Sequence, residues 1–453
     1  MNLANQTSHP FTADIISALQ FLDTRARKPK QHLQVTLLQD DLGRAVLIHS
    51  NQSLINPKLL LANTGRAFKP ASLQRWLDEL KVDFAPVLAS CHKFETFIDR
   101  TVLENDQPTW LQFAASGWGK VSDLRPLVEQ PQVTVTQACE PAPQIEVRWD
   151  APFESDELAV NEAVKQFTVR RIKQRLDETL EMPPLPQSAS AIIELRNDPD
   201  ADAEKLAKII EADPSLAAQI VGWASNSYFS APGQVRSVQD AIVRVLGYDL
   251  VMNLAMGLAL GKLLESPEVQ GGELPFWQQS LITAGLNASL CDLIPAAYRP
   301  TYGLTYLTGL LHGFGHLILH HSFKPQFDAI AKLVQFNRHL EPSQVELHVL
   351  GITREQVAVA LLKVWRLPEE VIHGIKYLHQ GDYAGAYADY AQINRIAVTL
   401  ARQLGYSLGP ISEVSDDQLS PLHINRDQLT KLIQGFGEHA ENLQSMAAVL
   451  SQK

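Results

Sequence analysis

The stretch from Glu181 to Leu264 is written almost entirely in helix punctuation, and it restricts this part of the chain to a bundle of short helices. Asp213 followed by Pro214 supplies a cap and a first-turn residue whose missing N–H costs nothing there; Leu216, Ile220 and Trp223/Ala224 then recur on one face. Ser237, with Asp240 three residues on, has the form of a capping box. Ile242, Val245 and Leu246 make its apolar stripe, and Gly247 stands where a helix end favours a left-handed residue. Leu206, Ile209 and Ile210 repeat the spacing between Asp202 and Glu211. From Leu250 to Leu264 the chain is apolar on nearly every side, so this helix is expected in the middle of the bundle.

A length of 453 residues accommodates two or three domains, and 45% hydrophobic residues are enough to bury a sizeable core. No apolar run follows Met1-Asn2-Leu3-Ala4-Asn5, and the best one, Leu250 to Leu260, is interrupted by Asn253 and too short for a bilayer. The expectation is a cytoplasmic protein without a membrane partner. Cys91, Cys139 and Cys291 are too few and too widely spaced for a disulfide framework or a cysteine zinc site. The net charge of −11 is unevenly placed: residues 1–145 hold 14 Lys/Arg against 14 Asp/Glu, and the remainder 25 against 36. An acidic half repels phosphate backbones, which argues against nucleic acid as its partner. The basic cluster Arg25, Arg27, Lys28 and Lys30 reads as a solvated loop. No glycine-rich nucleotide loop, nucleophile elbow or Walker motif occurs, so no cofactor is expected.

Before the helical stretch the hydrophobic period changes. Thr12 to Ala26 has helical spacing. Val35/Leu37 and Ala45 to Ile48 then read as strands around an Asp40-Asp41-Leu42-Gly43 turn. Leu54 to Leu61, Pro70 to Leu80 and Ser122 to Val128 look helical, and Thr96 to Ile98 and Trp110 to Ala115 extended. The fold class expected is therefore multidomain: an N-terminal α/β or α+β domain over 1–130, a Pro-bearing linker over 131–156 with a short extended piece at Val133 to Val135, and a connecting helix over 157–180. An all-α domain over 181–385 follows, with further C-terminal helices packed on it over 386–453.

Several motifs of the helical part agree in order and spacing: Met182-Pro183-Pro184-Leu185-Pro186-Gln187, Asn197-Asp198-Pro199, Asp213-Pro214-Ser215-Leu216, Ala224-Ser225-Asn226-Ser227-Tyr228-Phe229 and Ser237 to Gly247. Together they resemble the HDOD domain of bacterial signalling proteins, a relative of HD-type metal phosphohydrolases. The resemblance implies an HD-like helical bundle that serves as a non-enzymatic output or scaffold module. It also implies where metal ligands would stand in an HD enzyme. Those positions fall on Gln279, on His312 followed by Gly313 in place of the bridging aspartate, on Arg354, and on Leu378-His379 where related domains pair histidines. A two-metal hydrolase needs carboxylate and imidazole ligands on facing helices, and Gly313 can supply neither. Gln279, His312, Gly313, Arg354 and His379 are therefore expected to line a vestigial pocket open to a small ligand, and the Ser225-Asn226-Ser227-Tyr228 turn is expected as an interaction surface.

His312, His316 and His320, four residues apart, would share a face of one helix at a known zinc spacing. The apolar residues around them favour packing over metal binding. The N-terminal strands around Val35 to Asp41, Ile98 to Leu103 and Leu111 to Gly117 resemble YbaK-type aminoacyl-tRNA editing domains. Val35 occupies the position of that family's strand lysine, which implies loss of the editing chemistry. The function expected is a non-catalytic signalling or regulatory scaffold with a protein partner. The alternatives are an HD-type phosphohydrolase acting on nucleotides or cyclic dinucleotides through His312, His316 and Asp292, and an aminoacyl-tRNA deacylase.

Overall fold

A computed structural model describes residues 19–21, 31–71, 95–104, 109–112, 118–121, 128–129, 131–145, 153–156, 158–163, 185–226, 229, 235–262, 264–267 and 274–450. The chain divides into two units. The first comprises residues 1–144, 329–345 and 409–411, and the second residues 145–328, 346–408 and 412–453.

The first unit is built on a mixed sheet whose centre is the hairpin β2 (Leu33–Asp40) and β3 (Gly43–Ser50), in register from Leu33 opposite Ser50 to Asp40 opposite Gly43. Asp40 Oδ1 accepts from the amides of Leu42 and Gly43, both at 3.0 Å, and Gly43 takes φ +144°, which a side chain would resist. Outward from this hairpin, β6 (Glu95–Asp99) lies parallel to β3, and β9 (Val133–Thr136) parallel to β6. On the other side β7 (Thr109–Gln112) pairs parallel with β2, followed by antiparallel β8 (Trp118–Val121) and β1 (Leu19–Phe21). β5 (Lys69–Pro70) also pairs with β2, and β4 (Ser53–Ile55) with β10 (Cys139–Pro141) makes a second, small sheet.

Three expectations change here. Residues 19–21 are strand rather than helix, because their backbone is taken up by Gly119 to Val121; the rest of Thr12 to Ala26 lies outside the described residues. The helix read over Leu54 to Leu61 starts later, as α1 (Pro57–Thr64), since the Asn56 side chain caps the amides of Lys58 and Leu59 and Ile55 is already paired in β4. Of Pro70 to Leu80 only Pro70, in β5, and Ala71 are described, and of Ser122 to Val128 only Val128. Residues 133–136 and 139–141, expected in a linker, carry β9 and β10. A short helix α2 (Arg100–Leu103) follows β6, with Asp99 as its cap; the other Asp99 oxygen accepts from the amides of Ala138 and Cys139.

The core of this unit joins Leu38, Ala45, Leu47, Ile55, Phe97 and, from far along the chain, Phe336. The next residue completes the graft. Asn337 Oδ1 accepts from Ile55 N at 2.7 Å while its Nδ2 donates to Ile55 O at 3.1 Å, so one side chain satisfies both main-chain groups of a buried residue. His339 Nε2 donates to Ser53 O at 2.8 Å, and its ring meets His49 edge-on at 4.5 Å.

The second unit is helical. Its elements are α3 (Gln187–Arg196), α4 (Ala203–Glu211), α5 (Pro214–Ala224), α6 (Tyr248–Gly261), α7 (Phe276–Leu293), α8 (Tyr302–Leu311) and α9 (Phe314–Ser322). Helices α10 (Lys324–Phe336) and α11 (Pro342–Leu350) belong in part to the first unit, which takes residues 329–345; the second unit goes on with α12 (Arg354–Val364), α13 (Glu369–Lys376), α14 (Ala388–Gln403), a short α15 (Asp416–Leu419) and α16 (Arg426–Leu450). The caps act as the sequence requires: Asp213 Oδ1 accepts from Leu216 N, and Ser237 Oγ from Asp240 N. Past Ser237 the chain widens into a π-helical segment, Ala241–Leu246, that Gly247 ends at φ +81°. Helix α6 is buried from Leu250 through Gly261, in keeping with its uninterrupted apolar run.

Two features lock the centre of this unit. A Cβ on Gly309 of α8 would lie 2.8 Å from Ala284 Cα and 2.9 Å from Thr283 O of α7, so the two helices approach backbone to backbone. A buried amide relay adds direction. Asn287 of α7 donates to Thr305 O of α8 at 3.0 Å and faces Asn394 Oδ1 of α14 at 3.4 Å, and Asn394 donates to Gly374 O of α13 at 3.1 Å. Replacing Asn394 by Ala leaves the Gly374 carbonyl and the Asn287 amide without that partner, which costs about 2–3 kcal/mol. Hydrogen exchange of the buried amides of α7 and α14 is expected to accelerate accordingly, and unchanged protection would show that the relay carries no stability.

Candidate functional site

The site begins where α8 stops. His312 and Gly313, the latter at φ −91° and ψ 4°, separate α8 from α9. The expected single helix bearing His312, His316 and His320 on one face is therefore corrected: only His316 and His320 keep their spacing, both on α9, and both rings pack on Phe327 at 4.8 and 4.7 Å. The break brings α9 against the start of α12. A Cβ on Gly315 would fall 1.8 Å from the Arg354 carbonyl oxygen.

His312 is held by its own turn. Its Nδ1 lies 2.6 Å from Gly309 O, and since a carbonyl only accepts, the proton sits on Nδ1 and Nε2 is left as an acceptor. Burial lowers its pKa to about 4; the Arg354 and Arg402 charges push the same way, while the Gly309 bond and Glu355 oppose. At neutral pH it is an uncharged base. Burial likewise drives His316 well below the ordinary range, and its Nδ1 has no hydrogen-bond partner among the described residues.

The carboxylates near His312 are already engaged. Glu346, nearly fully buried, receives the Arg354 amide at 2.9 Å, its Nε at 2.8 Å and its Nη2 at 2.6 Å. Glu355 Oε1 lies 3.1 Å from His379 Nε2. A Thr353–Gln356 capping box sets the start of α12 and so places Arg354 and Glu355 side by side. The stretch carrying His379 is pinned by Arg395 of α14, whose guanidinium donates to the carbonyls of Tyr377 at 3.1 Å and Leu378 at 2.9 Å and to that of Gln380. Desolvation brings the Arg395 pKa down to about 10, the cost of using a buried cation as a helix-end clamp.

Of the residues singled out by sequence, His312, Arg354 and His379 thus share one neighbourhood, linked through Glu355. Gln279 is turned to its own helix start, Nε2 donating to Leu274 O at 2.7 Å. Around Gly313 the nearest atom to an added Cβ is the Phe276 ring at 3.2 Å, so an aromatic edge stands where a metal-bridging carboxylate would project. Asp292 pairs with Arg299 at 3.6 Å near the other end of α7, about 24 Å along the helix from Phe276, the ring that stacks on His316. It therefore cannot join His312 and His316 in a ligand set. Among the described residues no group of three or more His, Cys, Asp or Glu is arranged to hold a metal ion.

Trp277 fills against Gly261, Trp365 meets Phe314, and Tyr377 stacks on Tyr383 at 3.8 Å, three separate packing contacts. Ser225 is an exposed C-cap of α5 and Asn226 is half-buried; Ser227 and Tyr228 lie outside the described residues. Sequence reasoning missed Glu346, Glu355, Arg402 and Phe276. The Thr-Arg-Glu-Gln cap at 353–356 was a usable signal for Glu355, whereas nothing local marks Glu346, eight residues before its partner.

The geometry makes a steric contrast. Gly315→Ala, blocked by backbone, is expected to cost about 3 kcal/mol or more, and Gly313→Ala, facing a ring edge that can shift, about 1 kcal/mol or less. Thermal unfolding of both variants checks this, and equal losses would refute the packing argument. The pH dependence has a definite sign. With a folded pKa near 4 against an ordinary 6.5, His312 takes up a proton more readily in the unfolded chain, so its contribution is complete above about pH 6.5 and shrinks as pH falls toward 4. His312→Gln is expected to lessen the loss of melting temperature between pH 6.5 and 4, and a pH profile parallel to that of the parent protein would exclude this linkage.

The family model of the HDOD domain matches residues 182–381. A candidate signal transduction protein from Marinobacter aquaeolei VT8 is 32% identical, with 98% of each chain covered and a TM-score of 0.80. An HDOD domain protein with unknown function from Geobacter sulfurreducens shares the fold at 21% identity and a TM-score of 0.50, covering 63% of this chain and 97% of its own. An uncharacterized protein of Treponema pallidum (strain Nichols) is 22% identical over 203 residues, 44% of this chain and 38% of that relative's length. Among the described residues no helix is long and apolar enough to cross a membrane. The match to the family model over residues 182–381 and the agreement along the whole chain with the Marinobacter protein have one reading: this chain belongs to the HDOD-domain proteins.

Proposed function

We propose that this chain is a regulatory scaffold in signal transduction, acting through an HDOD domain that binds partners without turning over substrate. The observation that carries this reading is the Gly313–Phe276 contact. The position of the bridging carboxylate faces an aromatic ring, and the acids nearby, Glu346 and Glu355, are committed to Arg354 and His379. A neutral His312 with an accepting Nε2, beside partly exposed Arg354 and His379, is suited to holding a small polar or anionic ligand that biases the domain. The signal-transduction description of the Marinobacter protein, similar along the whole chain, supports the same reading. Partner and ligand are regulatory rather than consumed.

The phosphohydrolase reading needs Asp292 beside His312 and His316, and their separation along α7 disfavours it. Deacylation by the first unit is disfavoured by Val35, a β2 residue opposite Ile48 where an amine would be required. Protein purified without chelator is expected to carry well under one equivalent of transition metal and to leave bis(p-nitrophenyl) phosphate and cyclic dinucleotides intact. Gly313→Asp alone is expected not to change either result, because the ring and the ion pairs remain. Stoichiometric metal with turnover that His312→Ala abolishes would overturn the proposal.

A further inference from the structure

The second unit contains a second polar constellation, distinct from the neighbourhood of His312. Residues 153–156 form a single turn, closed by Asp156 N donating to Phe153 O at 3.0 Å, and this turn lies on helices α12 and α13. Two ammonium groups lie over the Phe153 ring, Lys363 Nζ at 4.0 Å and Lys376 Nζ at 4.2 Å from its centroid, with His373 edge-on at 5.1 Å. The Asp156 carboxylate lies 3.0 Å from Lys376 Nζ, and both residues are more than nine-tenths buried. Among the described residues, Lys376 Nζ meets this carboxylate and lies over the rings of Phe153 and Tyr377.

Burying a lysine–aspartate pair is expensive if its only task is to hold down a turn. A buried ion pair of this kind contributes less to stability than apolar packing of the same volume, and its best-attested uses are registry and switching. The recognition chemistry is legible: an aromatic ring is met by two cations, and a carboxylate three residues later pairs with the more buried of them, Lys376. We infer that the surface of Lys363, His373, Lys376 and Tyr377 is a docking site for a partner peptide bearing an aromatic residue followed three positions on by an aspartate, and that Phe153–Asp156 fills it in cis. The cis turn shows what fits, and the cationic lining shows why an acidic aromatic peptide is the occupant. Two residues past Lys376 lies Leu378, and then His379 of the site above. Arg395 clamps the carbonyls of Tyr377 and Leu378, so the docking surface and the His312 neighbourhood share one anchored stretch. This deepens the scaffold reading by naming the chemistry of a partner, and it rests on that reading for its biological use.

The probe is a fluorescein-labelled peptide of residues 150–160, titrated by anisotropy into full-length protein. The Phe153→Ala/Asp156→Ala variant, with the site vacated, is expected to bind it at least tenfold more tightly than the parent protein. Adding Lys376→Met is expected to remove that gain, and a scrambled peptide is expected to bind neither protein. Asp156→Asn, which keeps the ring and the shape of the turn, is the conservative arm and is expected to fall between parent and double variant. Equal binding by parent, double variant and Asp156→Asn, indifference to Lys376→Met, or equal binding of the scrambled peptide would each overturn the docking site. These outcomes are independent of metal content and phosphodiester hydrolysis, so failure here leaves the scaffold reading standing, and failure there leaves this site standing.

Discussion

The helical unit depends on an interaction that contributes modest energy but fixes geometry: the buried amide relay from Asn287 to Thr305 O and Asn394, and on to Gly374 O. Apolar packing alone would tolerate α7, α8, α13 and α14 sliding against one another, because dispersion is nearly indifferent to small shifts along a helix axis. Buried amides are not indifferent, since each donor displaced from its carbonyl is left without water to replace it. The relay therefore sets the register in which Gly309 can meet the α7 backbone, and that register decides where α8 ends and where His312 points.

From that register the character of the site follows. Once α8 stops at Leu311 and α9 leans on the Arg354 carbonyl, the volume beside Gly313 is met by Phe276, and the flanking acids Glu346 and Glu355 are engaged by Arg354 and His379 from neighbouring elements. Charge is balanced pairwise rather than gathered. The neighbourhood of His312 keeps an uncharged base beside two partly exposed polar groups, Arg354 and His379.

The first unit shows a different dependence. Its core is completed by Phe336, and the backbone of Ile55 is satisfied by Asn337, both contributed by a segment that lies inside the span matched to the HDOD family. The unit is thus discontinuous in sequence. A reading that moves along the chain treats 329–345 as one more piece of the helical bundle, since its apolar spacing is that of any amphipathic helix, and the polar pair His339 and Asn337 carries no local motif.

What the chain determined by itself was local: the caps at Asp213 and Ser237, the Asp40–Gly43 turn, the all-round apolar run of α6, and the absence of a carboxylate at position 313. Each depends on residues within a few positions of one another, where propensity and hydrogen-bonding chemistry act directly. The tertiary structure alone decided that Leu19–Phe21 would be strand, that His312 would be cut off from the helix of His316 and His320, that Asp292 would lie far from both, and that Glu346, Phe276 and Asp156 would stand where they do. Those outcomes turn on which backbones approach closely enough to exclude a side chain and which buried charges find each other. Such distances arise between residues far apart in the chain, and no periodicity in the sequence encodes them.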